Sequence, residues 1–391
     1  MKQTDRTPGE GGDESMKKTG LTRREGGDDS VRKTELTPGK GGDDSMRKAV
    51  LTQGEGDNES MPKAVLTSWD GGIIQVSVPM DPPLRQVNSY ILPDWNGQLT
   101  VIDPGPHTME AEAAWEYVLK ELGYSWGRIR DIVVTHHHPD HYGLSGWLQS
   151  RSGGKVWMSE RAHTEARLTW GEAATLNDTL PQFFLSNGMP GEWVQGVREH
   201  LERFLPQVTP QPEVTYLNTL EPFHMGNREW QPLVTGGHAP GHLSFYHGGS
   251  GQILCGDTVL PQISPNVSLQ PGSDPQPLLT FMEGLRELRS LRVTQAFPGH
   301  RKPFAGFTER ADSLLRHHEE RLDTTAALLE GGPLSGFAVC EALFRSRVSN
   351  AHQMRFAMSE ALAHLAELVR RERAEVIQPV SGGVTTFAAV K

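Results

Sequence analysis

Residues 135–143, THHHPDHYG, narrow the folds open to this 391-residue chain more than any other feature. They follow the β-branched run at 129–135, which reads as a strand. Alternation along an extended segment puts His136 and His138 on one side, and the turn at Pro139 swings Asp140 and His141 toward a second point. One segment can therefore feed two metals. Imidazole and carboxylate are the ligands that borderline metals such as Zn²⁺ accept, and a set without cysteine is expected of a catalytic rather than a structural zinc site. By the same alternation His137 points away from the metals. The competing reading is a solvent-exposed histidine-rich loop with no role.

The rest of the chain must supply a core that fixes this strand, and only part of it can. All 28 aromatic residues lie at or after Trp69. Residues 7–66 are four copies of a 15-residue unit, the first TPGEGGDESMKKTGL, and each offers about two modest apolar residues. Such a tail has nothing to bury, so residues 1–66 are read as disordered. Past it, Lys and Arg number 26 against 35 Asp and Glu, an acidic balance that argues against nucleic acid as a partner and favours a small-molecule substrate. Cys255 and Cys340 are too few for a disulfide framework, and Cys255 reads as core. No signal region and no membrane-length apolar run is present, so the expected location is cytoplasmic, with no membrane partner.

From residue 67 short apolar runs alternate with helical patterns. Strands are read at 73–78, 89–92, 99–102 and 129–135, with a helix at 111–122 between the last two. Residues 160–205 look largely helical. Strands return near 214, 230–234, 243–246 and 252–254, and an amphipathic helix covers 278–291. This interleaving predicts an α/β sandwich built on a mixed sheet, spanning 67–310. Residues 311–391 read differently, as three helices (311–329, 336–344, 354–373) followed by a Gly-turn hairpin, a winged-helix-like outline. His317 and His318, in a charged helix, read as solvated surface.

Four further motifs accompany the histidine cluster. Asp103 stands in VIDPGP upstream of it, and His238 in GGHAPGH, Asp257 in CGDTVL and His300 in FPGH follow it in order. Together with THHHPDHYG they resemble the metallo-β-lactamase superfamily over roughly residues 70–310. That resemblance implies an αββα sandwich in which His136, His138 and His238 hold one metal, Asp140, His141 and His300 hold the other, and Asp257 bridges them. Asp103 would support the ligands, and His242 would be a supporting or turn residue. The implied cofactors are two Zn²⁺, with Fe or Mn as alternatives, and the implied enzyme is a zinc-dependent hydrolase using a metal-bridging hydroxide that Asp140 helps to orient.

The C-terminal outline, with the 330–334 segment EGGPL and the helix at 357–373, is similar to the tail of the β-lactamase-like 2 and glyoxalase II-like subgroup, where it packs near the active-site groove. The resemblance therefore implies an ester-like or thioester acyl substrate. A metal-dependent nuclease acting on single-stranded RNA is the alternative, and a non-enzymatic winged-helix DNA-binding protein is a third. For the last, Arg345, Arg347, Arg355, Arg370, Arg371 and Arg373 offer basic charge, but Met358, Ala361, Leu362, Leu365, Leu368 and Val369 commit one helix face to packing. Trp170, Phe183, Phe184, Met189 and Trp193 are apolar enough to roof a pocket, a role that competes with ordinary helix packing. The loop at 261–277 is expected at its mouth.

Overall fold

The computed structural model describes residues 46–47, 64–171, 174–379 and 382–390. Of the tail expected to be disordered, all but 46–47 and 64–66 lies outside the described residues. Eight strands form the first sheet in chain order: β1 (Met46–Arg47), β2 (Val65–Trp69), β3 (Ile73–Pro79), β4 (Gln86–Pro93), β5 (Leu99–Ile102), β6 (Ile129–Val133), β7 (Lys155–Met158) and β8 (Val214–Tyr216). Pairing is antiparallel up to β5 and parallel from there to β8. Parallel neighbours need crossovers, and helices supply them. α1 (Met109–Glu121) joins β5 to β6, α2 (Pro139–Tyr142) and α3 (Ser145–Ser152) join β6 to β7, and α4 (Glu160–Trp170), α5 (Leu176–Ser186) and α6 (Gly191–Glu202) lie between β7 and β8.

The folded region begins earlier than the sequence suggested. Strand β2 pairs with β3 from Val65 opposite Ser77, because the last repeat ends in Ala64, Val65 and Leu66, of which Ala64 and Leu66 pack on the outer core. Met46–Arg47 pairs in turn along β2.

A second sheet holds β9 (Phe223–Met225), β10 (Arg228–Val234), β11 (Leu243–His247), β12 (Gln252–Gly256) and β13 (Gln295–Pro298). Only β12 and β13 run parallel, and α7 (Pro277–Leu288) spans their crossover. Apolar residues sort into three layers. Ile73, Tyr90, Ile102 and Val133 of the first sheet meet Trp230, Phe245, Leu254 and Phe297 of the second in an inner layer. α1, α3 and α4 cover the outer face of the first sheet, and α7 covers that of the second. The result is the expected αββα sandwich.

α1 shows how local sequence aims the scaffold at the site. The Thr108 side chain caps it by accepting from the Ala111 N–H, and Ala111, Ala114, Trp115 and Val118 form its buried face. The indole N–H of Trp115 then donates to the Pro104 carbonyl at 2.7 Å, which docks the helix on the loop that follows β5.

The C-terminal segment runs α8 (Phe307–Leu329), β14 (Leu334–Ser335), α9 (Gly336–Phe344), α10 (Ala351–Arg370), β15 (Ala374–Ile377) and β16 (Thr386–Ala389), with β16 central in a small antiparallel sheet. It shares one apolar core with α5, α6 and α7. Accordingly α10 is buried on more than its apolar face: Glu360, His364 and Glu367 are buried as well. His318 is fully buried rather than solvated, with Nδ1 3.2 Å from His364 Nε2, because α8 is sandwiched against α7 and α10. Arg370 and Arg371 pair with Glu367, and Arg373 pairs with Asp323. No helix among the described residues is long and apolar enough to cross a membrane.

Candidate metal centre

Each motif residue sits just past the end of a strand: Asp103 after β5, His136 after β6, His238 after β10, Asp257 after β12 and His300 after β13. The strand ends of two packed sheets therefore deliver side chains from five distant segments to one place. Pro139 starts α2 directly after His138, so the backbone changes from extended to helical between His136/His138 and Asp140/His141. The rear of the centre is tied across the sheets. Asn88 of β4 donates its backbone N–H to the Gly299 carbonyl at 2.7 Å and its side-chain amide to the Pro298 carbonyl at 2.9 Å, and the Tyr90 hydroxyl donates to Pro298 as well.

The structure brings all seven residues of the proposed ligand set together. The donor atoms of His136, His138 and His238 lie within 4.8 Å of one another, and so do those of Asp140, His141 and His300. Asp257 stands between the two sets, its Oδ2 being 3.6 Å from His238 Nε2, 3.5 Å from His141 Nε2 and 3.4 Å from His300 Nε2. His137 joins neither set.

Fixed acceptors decide which ring nitrogen faces inward. Thr135 donates its hydroxyl to Asp103 Oδ2 and so accepts from His136 Nδ1 at 2.9 Å. His141 Nδ1 donates to Asp103 Oδ2 at 2.9 Å, His238 Nδ1 to the Asn266 carbonyl at 2.8 Å, and His300 Nδ1 to the Gln86 carbonyl at 3.2 Å. All four thus turn Nε2 toward the centre, while His138 turns Nδ1 to within 3.1 Å of His136 Nε2. Asp103 is the support the motif implied, held in a left-handed conformation (φ 51°) that costs roughly 1–2 kcal/mol. His242 is a support too: its Nε2 accepts from the Asp257 backbone N–H at 3.1 Å, and its Nδ1 faces the Thr235 and Thr258 hydroxyls.

The donor chemistry fits divalent ions. His141 Nε2, His238 Nε2 and Asp257 Oδ1 are buried without hydrogen-bond partners, a state that otherwise costs about 1–3 kcal/mol for each atom. Burial, reinforced by neighbouring imidazoles, keeps His136 and His138 uncharged with free lone pairs. Burial opposes ionisation of Asp257, but His300 and His141 outweigh it and hold the carboxyl well below its usual range. Burial likewise opposes charge on His300, yet Asp257 and Asp140 push it up to about 10. Protons on this side balance carboxylate charge that a cation would balance in their place.

Comparison with known proteins agrees with this geometry. A model of the metallo-beta-lactamase superfamily matches residues 82–300, and one of the metallo-beta-lactamase-like C-terminal domain matches residues 322–389. The chain belongs to the metallo-beta-lactamase superfamily. Within it, the chain is 26% identical over 310 residues to the probable metallo-hydrolase YqjP of Bacillus subtilis (strain 168), a match covering 77% of this chain and 93% of that protein. The crystal structure of a metallo-beta-lactamase family protein from Thermus thermophilus superposes with a TM-score of 0.71 at 32% identity, over 81% of this chain and 98% of that one. A beta-lactamase domain protein from Burkholderia ambifaria gives a TM-score of 0.74 at 28% identity, over 85% and 96%.

In this superfamily member a cavity of about 420 Å³ opens over the centre, with His138, Asp140, His238, Asp257 and His300 in its lining. Of the five aromatic and Met residues expected to roof it, Trp170 alone lines it. Phe184 and Met189 are buried in the core and Phe183 and Trp193 pack against that core, because α5 and α6 turn their apolar faces to the C-terminal helices. The loop at 261–277 does reach the mouth, through Ile263, Pro265, Asn266 and Gln270. His137 lines the wall. Sequence reasoning missed His200, His352, Arg355 and Phe356, which also line it and carry no local motif.

Gly299 allows this closeness. A Cβ there would sit 2.3 Å from Asp257 Oδ1 and 2.6 Å from His141 Cε1. Gly299→Ala is expected to weaken ion affinity by about 10–100-fold, measured by competition with a chromogenic chelator, while the fold persists. Unchanged affinity would mean that the ligands do not converge beside Gly299.

Proposed function

We propose that the protein is a binuclear metal-dependent hydrolase of an ester-like acyl bond, with thioesters as the first substrates to test. The observation that carries this reading is the convergence of two donor triads on Asp257 at the floor of a largely apolar pocket. Two divalent ions held there, zinc or else iron or manganese, would supply a water of lowered pKa and draw charge from the acyl oxygen. Asp140 has the most exposed carboxylate of the set (21%) and lines the pocket 3.1 Å from His300, where it can orient that water and hold its proton. Burial works against its charge, but His141 and His300 keep it ionised. Cys255 is no rival nucleophile, since burial raises its thiol pKa and it does not line the pocket.

The kinship to a probable metallo-hydrolase supports hydrolysis, and the acidic balance and apolar walls support a small acyl substrate over RNA. We read residues 67–310 as the catalytic part and 311–391 as a winged-helix-like appendage that completes the pocket. The test is elemental analysis of purified protein with a panel of acyl-thioesters, lactones and single-stranded RNA. Two ions per chain and thioester turnover that chelation and His136→Ala both abolish are expected. RNA cleavage lost in the same variant, with thioesters inert, would transfer the site to the nuclease reading.

A further inference from the structure

The pocket contains one buried charge that the metal centre does not use. Arg355, on α10, is only 9% exposed and lines the cavity. Its guanidinium carbon lies 4.2 Å from the ring centre of Phe356 and 6.0 Å from that of Phe204, so aromatic faces hold the group in place. Its N–H edge is left unanswered. Nε is buried with no hydrogen-bond partner, and among the described residues no carboxylate forms an ion pair with Arg355. Burial lowers its pKa to about 10 against the pull of Asp140, so at neutral pH it remains a cation.

A buried cation without a counter-ion is costly, and chains retain one where something else answers it. Its neighbours do not. His200 Nε2 and His352 Nδ1 meet at 3.0 Å, and burial, with Arg355 adding to it, holds the two rings down to about 3 and about 4, so both are neutral. Arg203, exposed on the same lining, adds positive charge. Of the carboxylates in the lining, Asp140 and Asp257 belong to the metal centre and Asp81 is exposed. One end of an apolar cavity is therefore electropositive and preorganised for a planar, two-oxygen acceptor.

We propose that Arg355 recognises an anionic group on the substrate, a carboxylate or a phosphate, so that the acyl compound hydrolysed at the metal centre is itself an anion. This rests on the hydrolase reading above. The C-terminal segment then acts as the specificity wall of the pocket, because α10 brings Arg355, His352 and Phe356 to a centre whose seven converging residues all come from the sandwich.

Two esters of similar chain length test it on the metal-loaded full chain: p-nitrophenyl butyrate, and mono-p-nitrophenyl glutarate, which adds a terminal carboxylate. The glutarate ester is expected to be preferred at least about 10-fold in kcat/KM, chiefly through KM. Arg355→Gln is expected to bring that ratio near one, and Arg355→Lys to restore part of it, with melting curves confirming that both variants fold. Calorimetry with monomethyl glutarate and with phenyl phosphate separates carboxylate from phosphate recognition, and whichever binds is expected to lose about 10-fold or more in Arg355→Gln. Equal preference and equal affinity in wild type and variant would overturn the proposal. If neither these esters nor the acyl-thioesters and lactones are hydrolysed but an anion still binds through Arg355, the hydrolase reading fails and the anion site stands.

Discussion

Asp257→Ala is expected to leave no measurable turnover, a loss on the order of 10³-fold or more, and to reduce bound metal below two ions per chain. The carboxylate lies 3.4–3.6 Å from Nε2 of His141, His238 and His300, three imidazoles drawn from both donor sets. No neighbouring acid can take its place: Asp140 approaches only His141 and His300, and Asp103 is engaged by Thr135 and His141. Without Asp257 the set loses one of its two carboxylate charges, the one that faces both donor sets. The fold is expected to survive, because the turn after β12 is held by the backbone of Asp257 donating to His242. Elemental analysis, kinetics and a melting curve on one preparation decide the matter. Two retained ions with turnover intact would show that Asp257 does not bridge.

Of the residues that converge, only His136, His138, Asp140 and His141 were legible from spacing along one segment, whereas His238, Asp257 and His300 were named through the resemblance of their motifs to the superfamily. His136 and His138 alternate on an extended segment, and Pro139 marks where that segment becomes helical. The sandwich was legible because short apolar runs at 73–78, 89–92, 99–102 and 129–135 alternate with a helical pattern at 111–122. The pocket walls were not. Phe184, His318 and Arg355 lie on helices whose sequence reports an apolar face, and long-range packing alone decides whether the opposite face meets solvent, core or cavity; Met189 lies in the connection between α5 and α6. Charge is no guide to burial here: Arg355, Glu360 and Glu367 of α10 are all buried, because helices pack on both sides of it. Strand β2 was hidden by the repeat, whose final Ala-Val-Leu looks like tail until β3 lies beside it.

Glu360 carries the consequence of that burial. Its carboxylate pairs with Arg321 and accepts from the Asn266 side-chain amide at 2.9 Å, and the Asn266 carbonyl in turn accepts from His238 Nδ1 at 2.8 Å. A helix of the C-terminal segment therefore fixes the ring orientation of a residue in the metal centre through two hydrogen bonds. Glu360→Ala leaves Arg321, itself only 14% exposed on its side chain, without a counter-ion, a change that costs about 3–5 kcal/mol where such pairs are buried. That is a large share of a typical total of about 5–15 kcal/mol, and a fall in Tm on the order of 10 °C is expected. The loop carrying Asn266 also loses one of its ties to α10, keeping those to the Phe356 and Ser359 carbonyls, so the ion held through His238 is expected to bind about 10-fold more weakly. Glu360→Gln separates the two effects. Its amide oxygen can still accept from Asn266 but cannot neutralise Arg321, so Tm is expected to drop while ion affinity stays near that of the wild type. Calorimetric melting and chelator competition on both variants read the two quantities independently. A lowered Tm in Glu360→Ala with undiminished ion affinity would show that His238 keeps its orientation without help from α10.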